Sequence, residues 1–374
     1  MRVYFDNAAT TPLDPLVIET MAEAMRENFG NPSSIHAEGR KARAAIEQAR
    51  KAVARSLNAS IGEIFFTSGG TEANNTALKG AVRDLGVTRI ISARTEHHCV
   101  LHSLDSLEKW NQVQVDYVKL DAQGRVDVDH LRQLLAAGNR KTMVSLMHAN
   151  NEMGAMINLA EISALCREQG VLFHTDTVQT MGFYPIDLTA GPVSFLSGSA
   201  HKFHGPKGVG FIYINSENNI GPYIDGGAQE RNMRGGTENL YGILGLARAL
   251  ELACDEMEAR RAHIKALRDY LREQLTLAVP RISFNGDPDT GHYKILSASF
   301  PPSEKADLLL FNLDIAGISA SGGSACSSGA DAGSHVIAAL HPDSDRKTVR
   351  FSLSHLNTRD EVDYVAAQLR GMML

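Results

Sequence analysis

Cysteine is scarce: Cys99, Cys166, Cys254 and Cys326 are the only four, widely separated and without a C-x-x-C pair. Neither a disulfide framework nor a zinc ribbon is therefore indicated. No apolar run is long enough to span a bilayer, and the first residues, Met1 to Asp6, turn polar too soon for a signal peptide. An excess of positive charge is missing too. The 37 Lys and Arg against 43 Asp and Glu leave a net charge of −6, with the basic residues scattered, so nucleic acid is not an expected partner. Internal repeats are absent. What remains is an ordinary soluble composition, 43% hydrophobic over 374 residues, expected in the cytoplasm and long enough for a large domain plus a smaller one.

The most informative stretch is Ser197–Gly208, in which small residues and histidines surround Lys202 between two apolar runs, Pro192–Leu196 and Val209–Ile214. A lysine on a tight connection between buried strands is placed to present an amine inside a pocket, where desolvation and cationic neighbours make it nucleophilic. The alternative is a turn lysine that snorkels to solvent. The stretch lacks the spacing and the Lys-Ser/Thr ending of a Walker A loop.

Strand-like and helical runs alternate from about residue 60 to 215, the pattern of a three-layer α/β domain. Glu63–Thr67 reads as a strand, Ser68–Gly70 as a turn, and Thr71 onward as a helix. Such a junction aims backbone N–H groups at one point and suits a phosphate, although any α/β protein can carry the same capping turn. The strand Arg89–Ala93 leads to His97 and His98, which makes both site candidates, since parallel sheets bind ligands at the carboxyl ends of their strands. Consecutive His97, His98 and Cys99 cannot all reach one metal ion without contorting the chain, and no metal site is expected. Strands at Thr142–Met147 and Val171–His174 lead to Asn151 and Asp176. A buried Asp176 needs a partner, either a structural arginine or the ring nitrogen of a cofactor. Asn31, in the polar loop Phe29–His36, either binds a ligand carboxylate or satisfies its own turn. A long helix is expected over Asn239–Leu277, with Ile243, Ala247, Leu250, Cys254 and Met257 forming one buried stripe. Cys254 and Cys166 accordingly read as core residues.

Ser321–Ser334 is built from Ser, Gly and Ala apart from Cys326 and Asp331. It offers no side chain large enough to anchor it in a core and is expected to be a mobile tether. From Cys326 to Ser334 the chain spans at most roughly 25 Å, enough to carry a thiol from a pocket to a partner. The plainer alternative is a linker that happens to contain a cysteine.

Taken together, these stretches resemble the cysteine desulfurases, pyridoxal-phosphate enzymes of the class V aminotransferase group. The resemblance is carried by Phe-Asp-Asn-Ala-Ala-Thr-Thr-Pro at 5–12, Asn-Pro-Ser-Ser at 31–34, Thr-Ser-Gly-Gly-Thr-Glu at 67–72, Glu-His-His at 96–98 and Asn-Asn-Glu at 150–152. It continues through Ser-Ala-His-Lys at 199–202, Met-Arg-Gly-Gly-Thr-Glu at 233–238, Gly-Ser-Ala-Cys at 323–326 and Val-Arg-Phe-Ser-Leu at 349–353. It implies a fold type I, aspartate-aminotransferase-like large domain over residues 16–257, and a small α/β domain formed by 1–15 and 258–374 that carries the cysteine stretch 321–334.

The resemblance also implies roles. Lys202 resembles the Schiff-base lysine, and Gly70, Thr71, Ser199 and His201 the phosphate cradle. Thr237 matches a residue that reaches the phosphate of the other subunit, which implies a homodimer. Asp176 resembles the partner of the pyridine nitrogen, Asn151 and Gln179 residues near the ring hydroxyl, and His97 the histidine stacked on the ring. Asn31 and Arg350 resemble a clamp for the substrate carboxylate. Cys326 matches the thiol that takes sulfur from L-cysteine as a persulfide, leaving alanine. The long Ser/Gly stretch resembles the group that hands sulfur directly to a protein acceptor, an iron–sulfur scaffold among the candidates. Here the chain departs from the family in Ser321–Gly323 and in Ser354-His355, and it stops at Leu374 short of the tail of iron–sulfur-assembly members. Selenocysteine lysis and transamination are the neighbouring reactions, and the second needs no thiol. A non-catalytic relative would be expected to have lost Lys202, His97 or Cys326, and all three are present.

Overall fold

The computed structural model describes residues 1–191, 193–323 and 333–373. Its strands are β1 (Val3–Tyr4), β2 (Ile64–Thr67), β3 (Arg89–Ser92), β4 (Gln114–Tyr117), β5 (Thr142–Ser145), β6 (Leu172–Asp176), β7 (Phe195–Ser199), β8 (Gly210–Ile214), β9 (Ser283–Asn285), β10 (Ile295–Phe300), β11 (Ile318–Ser319) and β12 (Lys347–Ser352). A seven-stranded sheet runs in the order β2-β8-β7-β6-β5-β3-β4. Only β8 runs against the others, pairing antiparallel with both β2 and β7.

Because strand side chains alternate between faces, neighbouring residues of this sheet enter two different cores. Ile90, Met143, Phe195 and Ile212 pack with the helices Gly70–Leu85 and His98–Asn111. Ile91, Val144, Leu196 and Phe211 pack into the larger cluster on the opposite face. Near-continuous apolar strands with helices on both faces are the three-layer arrangement expected of the sequence. Among the described residues no helix is long and apolar enough to cross a membrane.

Two departures from the expected elements have physical causes. The strand after Pro192 is displaced toward the carboxyl side, since β7 continues through Ser197, Gly198 and Ser199. Gly198 is required there: a β-carbon on it would stand 2.4 Å from the ring of Phe211, its partner across the ladder. The long helix is two helices, Leu240–Asp255 and Met257–Ala278, divided at Glu256 (φ −103°, ψ 9°). Its apolar stripe fades at the same place. Ile243, Ala247 and Leu250 are buried, whereas Cys254 is half-buried against the core and Met257 is half-buried too.

A second, smaller sheet runs β12-β10-β9, all antiparallel. The amino terminus joins this part of the molecule, with β1 beside β11 in parallel and Asp6 bridged to Ser352.

Lys294 enters β10 fully buried at 0% exposure, and its amine has no hydrogen-bond partner among the described residues. It lies 4.1 Å from the centroid of the Phe183 ring. Burial, with Lys202 and Arg350 nearby, holds the amine well below the usual lysine range. Between that lowered value and the ordinary lysine range the unfolded chain holds a proton that the folded chain has released, so this residue's contribution to stability rises with pH across that interval. Lys294→Met should raise unfolding stability at pH 7 by about 1–4 kcal/mol. The gain should shrink as pH approaches 10. Urea unfolding at the two pH values measures both effects.

Candidate active site

The carboxyl ends of β2, β3, β5, β6 and β7 converge on one cavity of about 210 Å³ at the edge of the large sheet. Its wall includes Gly70, Thr71, His97, Asn151, Asp176, Gln179, Ser199, His201, Lys202 and Arg350. The site residues expected from sequence are thereby brought together, apart from Asn31, Thr237 and Cys326. Asn31 is exposed, and its side-chain oxygen accepts from Ser33 N at 2.9 Å, so it satisfies its own turn. Thr237 is exposed and lines a separate hollow beside Ser68 and Arg234. Cys326 lies outside the described residues.

Lys202 ends the 3-10 turn Ala200–Lys202 that follows β7. Its Nζ donates to the carbonyls of Ala8 and Ala9, both at 2.7 Å. The amine therefore faces the cavity rather than snorkelling outward. Beside it, Gln179 Nε2 donates to the same Ala8 carbonyl at 3.0 Å, while Gln179 Oε1 is buried without a partner among the described residues.

Asp176 closes β6, and no arginine pairs with it among the described residues, which removes the structural-arginine alternative. Its Oδ1 accepts from Val178 N at 2.9 Å and its Oδ2 from Asn74 Nδ2 at 2.6 Å. Asn74 is held in turn by His174, whose Nε2 lies 3.1 Å from Asn74 Oδ1 and whose Nδ1 lies 2.9 Å from Ser145 Oγ. Burial drives His174 down to about 3. This neutral chain of side chains orients the carboxylate without neutralising it.

The helix Gly70–Leu85 begins one residue earlier than expected and has no side-chain cap, so its first amides are left for another acceptor. A β-carbon on Gly70 would stand 2.6 Å from Val178 Cγ2, so glycine is what lets the helix start approach the segment after β6 this closely. His201 Nδ1 is 3.1 Å from Thr10 Oγ1, and burial beside Lys202 and Lys207 drives its ring down to about 3. His97 caps the next helix, its Nδ1 accepting from Cys99 N at 3.2 Å. The neutral ring therefore carries its proton on Nε2. Burial holds His97 below the usual histidine range, with Asp176 opposing that shift and Lys202 adding to it.

Two wall residues escaped the sequence reading. Asn74 sits one helical turn beyond Gly70, and its only sequence signal is that spacing from the glycine turn. Cys99, weighed in the sequence as part of a metal set with His97 and His98, lines the cavity 3.0 Å from His97 Nδ1. His98, by contrast, turns away and stacks on His335, with ring centroids 4.3 Å apart. No metal-binding cluster forms among the described residues.

A lysine amine, a carboxylate without a cationic partner and an uncapped helix end around one cavity define a pyridoxal-phosphate enzyme of fold type I. The uncapped helix start at Gly70 and the unpartnered Gln179 Oε1 are consistent with a polar, phosphorylated occupant. The chain belongs to the aminotransferase class-V family, whose model matches residues 3–365. It is 42% identical over 367 residues to the cysteine desulfurase IscS of Dictyoglomus turgidum, covering 97% of this chain and 92% of that one. Among solved structures, a NifS-like protein superposes with a TM-score of 0.92 at 37% identity, covering 99% of each chain. The structure titled SspA in complex with cysteine superposes with a TM-score of 0.82 at 31% identity, over 96% of this chain and 100% of that one.

Burial, reinforced by Asp176, pushes the Cys99 thiol up to about 12. Its thiolate fraction at pH 8 is then roughly a thousandfold below that of an unperturbed thiol. Iodoacetamide labelling followed by peptide mapping should find Cys99 almost unmodified at pH 8 despite its place on the cavity wall.

Proposed function

We propose that the protein is a cysteine desulfurase, converting L-cysteine to L-alanine and taking the sulfur as a persulfide on Cys326. The observation that carries this reading is the convergence of Lys202, Asp176 and Arg350 on one cavity, in a chain whose relatives are named for that reaction.

The cofactor, pyridoxal phosphate, would be held through Lys202 and Asp176, with His97 against its ring and Asn151 and Gln179 near the ring hydroxyl. Gly70, Thr71, Ser199 and His201 would cradle its phosphate, joined by Thr237 of a second subunit. When bound, it supplies an electron sink for the bond to the substrate Cα. The rest is the work of this chain. Arg350 binds the substrate carboxylate. Its Nη1 is fixed by Asn151 O and its Nη2 by Asp6 Oδ1, each at 2.8 Å, and its Nε has no partner among the described residues. Lys202 Nζ removes the Cα proton. The Cys326 thiolate attacks the substrate sulfur: an S–S bond forms, the Cβ–S bond breaks, and its electron pair returns to the alanine fragment, which takes up protons. No external oxidant is needed.

In this reading residues 16–257 hold the cofactor, while 1–15 and 258–374 form the small domain, which the pairing of β1 with β11 supports. The protein is a homodimer, supported by the exposure of Thr237 and its position outside its own chain's cavity. A cytoplasmic setting suits the free thiols Cys99, Cys166 and Cys254. A protein acceptor then takes the sulfur, an iron–sulfur scaffold being among the candidates.

Incubation of the pure holoprotein with L-cysteine should release alanine and, with a reductant, sulfide. Cys326→Ala should lower alanine formation by at least roughly a thousandfold while still binding L-cysteine. Alkylation and tryptic mapping should place the persulfide on Cys326, and borohydride should fix the cofactor to Lys202. Persulfide on another cysteine, or the reduced adduct on Lys207 or Lys79, would overturn the assignments. Thr237→Val should weaken cofactor retention by about tenfold, the loss of one phosphate hydrogen bond, as measured by dialysis and absorbance.

A further inference from the structure

Glu152 follows the cavity residue Asn151, is only 2% exposed, and has no lysine or arginine partner among the described residues. A buried carboxylate without a cationic partner is costly, and packing alone gives no reason to keep one. Its contacts lie at the two chain ends that flank residues 324–332. On the carboxyl side, Ser334 Oγ donates to Glu152 Oε2, and His335 Nδ1 lies 3.8 Å from Glu152 Oε1. On the amino side, a β-carbon on Gly323 (φ +142°) would stand 3.2 Å from Glu152 Oε2 and 3.0 Å from Ser334 Cβ. Only glycine permits both that φ and that approach.

The backbone that carries this side chain is itself fixed from behind. Glu152 N donates to Asn150 Oδ1 at 2.9 Å, and Asn150 Nδ2 donates to Thr95 O at 2.9 Å. His335 extends the attachment to the segment around His97, with Nε2 2.9 Å from Glu96 O and its ring beside that of His98. Ser334 meanwhile caps the helix His335–Leu340, its Oγ accepting from Ile337 N at 3.0 Å. Cys326 is three residues beyond Gly323 in the chain, a separation of about 11 Å at full extension. Whatever fixes Gly323 therefore limits where that thiol can act.

We infer that Glu152 is a positioning residue for sulfur transfer: its buried carboxylate clasps Gly323 and Ser334 together beside Asn151 and Arg350, and so sets the base from which Cys326 reaches the substrate sulfur. The inference rests on the desulfurase reading. It places on Glu152 a role that neither the cofactor nor the substrate requires of it directly.

The test compares the parent holoprotein with Glu152→Ala and Glu152→Gln, the second retaining an oxygen to accept from Ser334. Three quantities are measured: hydrogen–deuterium exchange at the amides of Ile337 and Ala338, the absorbance change on binding L-cysteine, and the rate of alanine formation. In Glu152→Ala, exchange should rise about tenfold or more as the cap is released. L-Cysteine binding should stay within about twofold, and alanine formation should fall by roughly a hundredfold, the scale expected when a reacting group is misplaced. Glu152→Gln should recover most of that rate. An active parent whose Glu152→Ala variant shows unchanged exchange, or unchanged alanine formation, overturns the clasp. So does a variant that loses L-cysteine binding in proportion to its rate, or a Gln variant as impaired as Ala. A parent that forms no alanine overturns the desulfurase reading itself, and the exchange arm distinguishes that outcome from failure of the clasp.

Discussion

One guanidinium ties the molecule together. Arg350, 1% exposed on β12, donates to Asn151 O in the loop after β5 and to Asp6 Oδ1 in the amino-terminal segment. Its backbone pairs in both directions with Ser321, whose hydroxyl donates to the same Asp6 oxygen at 2.8 Å. The small sheet, the edge of the large sheet, the amino terminus and the approach to the cysteine stretch all meet at this side chain. Truncating it would take the cation from the half-buried Asp6 carboxylate and leave the Asn151 carbonyl without this donor, which is costlier than the loss of an exposed ion pair.

The electrostatics around the cavity follow from burial. His148, His174, His201 and His204 are driven to about 4, 3, 3 and 3, so they stand as neutral hydrogen-bonding groups at working pH. The charged groups on the cavity wall are Asp176, Lys202 and Arg350. In a poorly solvated space these fields act with little screening. Glu96, whose carboxyl burial pushes well above the usual range, lies behind the wall, its Oε1 accepting from Met147 N at 2.7 Å.

The same burial explains why a lysine survives at position 294. The interior behind the cavity is shared by Phe183, Tyr184, His292 and Tyr293, whose rings pack edge-to-face or tilted at 5.2–6.2 Å. An amine resting on the Phe183 face is tolerable there in its neutral form.

Local chemistry made much of this legible in advance. Apolar runs bounded by glycine and polar turns identified every strand of the large sheet except β4, and the glycine turn before Thr71 marked a helix end. The small residues around Lys202 marked a constrained amine, and the Ser/Gly composition of 321–334 set Cys326 apart from the other thiols. These are short-range properties of the chain, and residue type and spacing determine them. Other features depended on which segments the sheets bring together. Asn74 became the partner of Asp176 across 102 positions, and Cys99 became a wall residue because the helix start at His98 turns it inward. Glu152 read only as part of a motif, and its meeting with Gly323 and Ser334 spans 171 and 182 positions respectively. Contacts at such separations leave no periodicity in the sequence. They arise when burial of the two sheets' apolar faces fixes distant backbone segments against each other, and only then does a side chain acquire its partner.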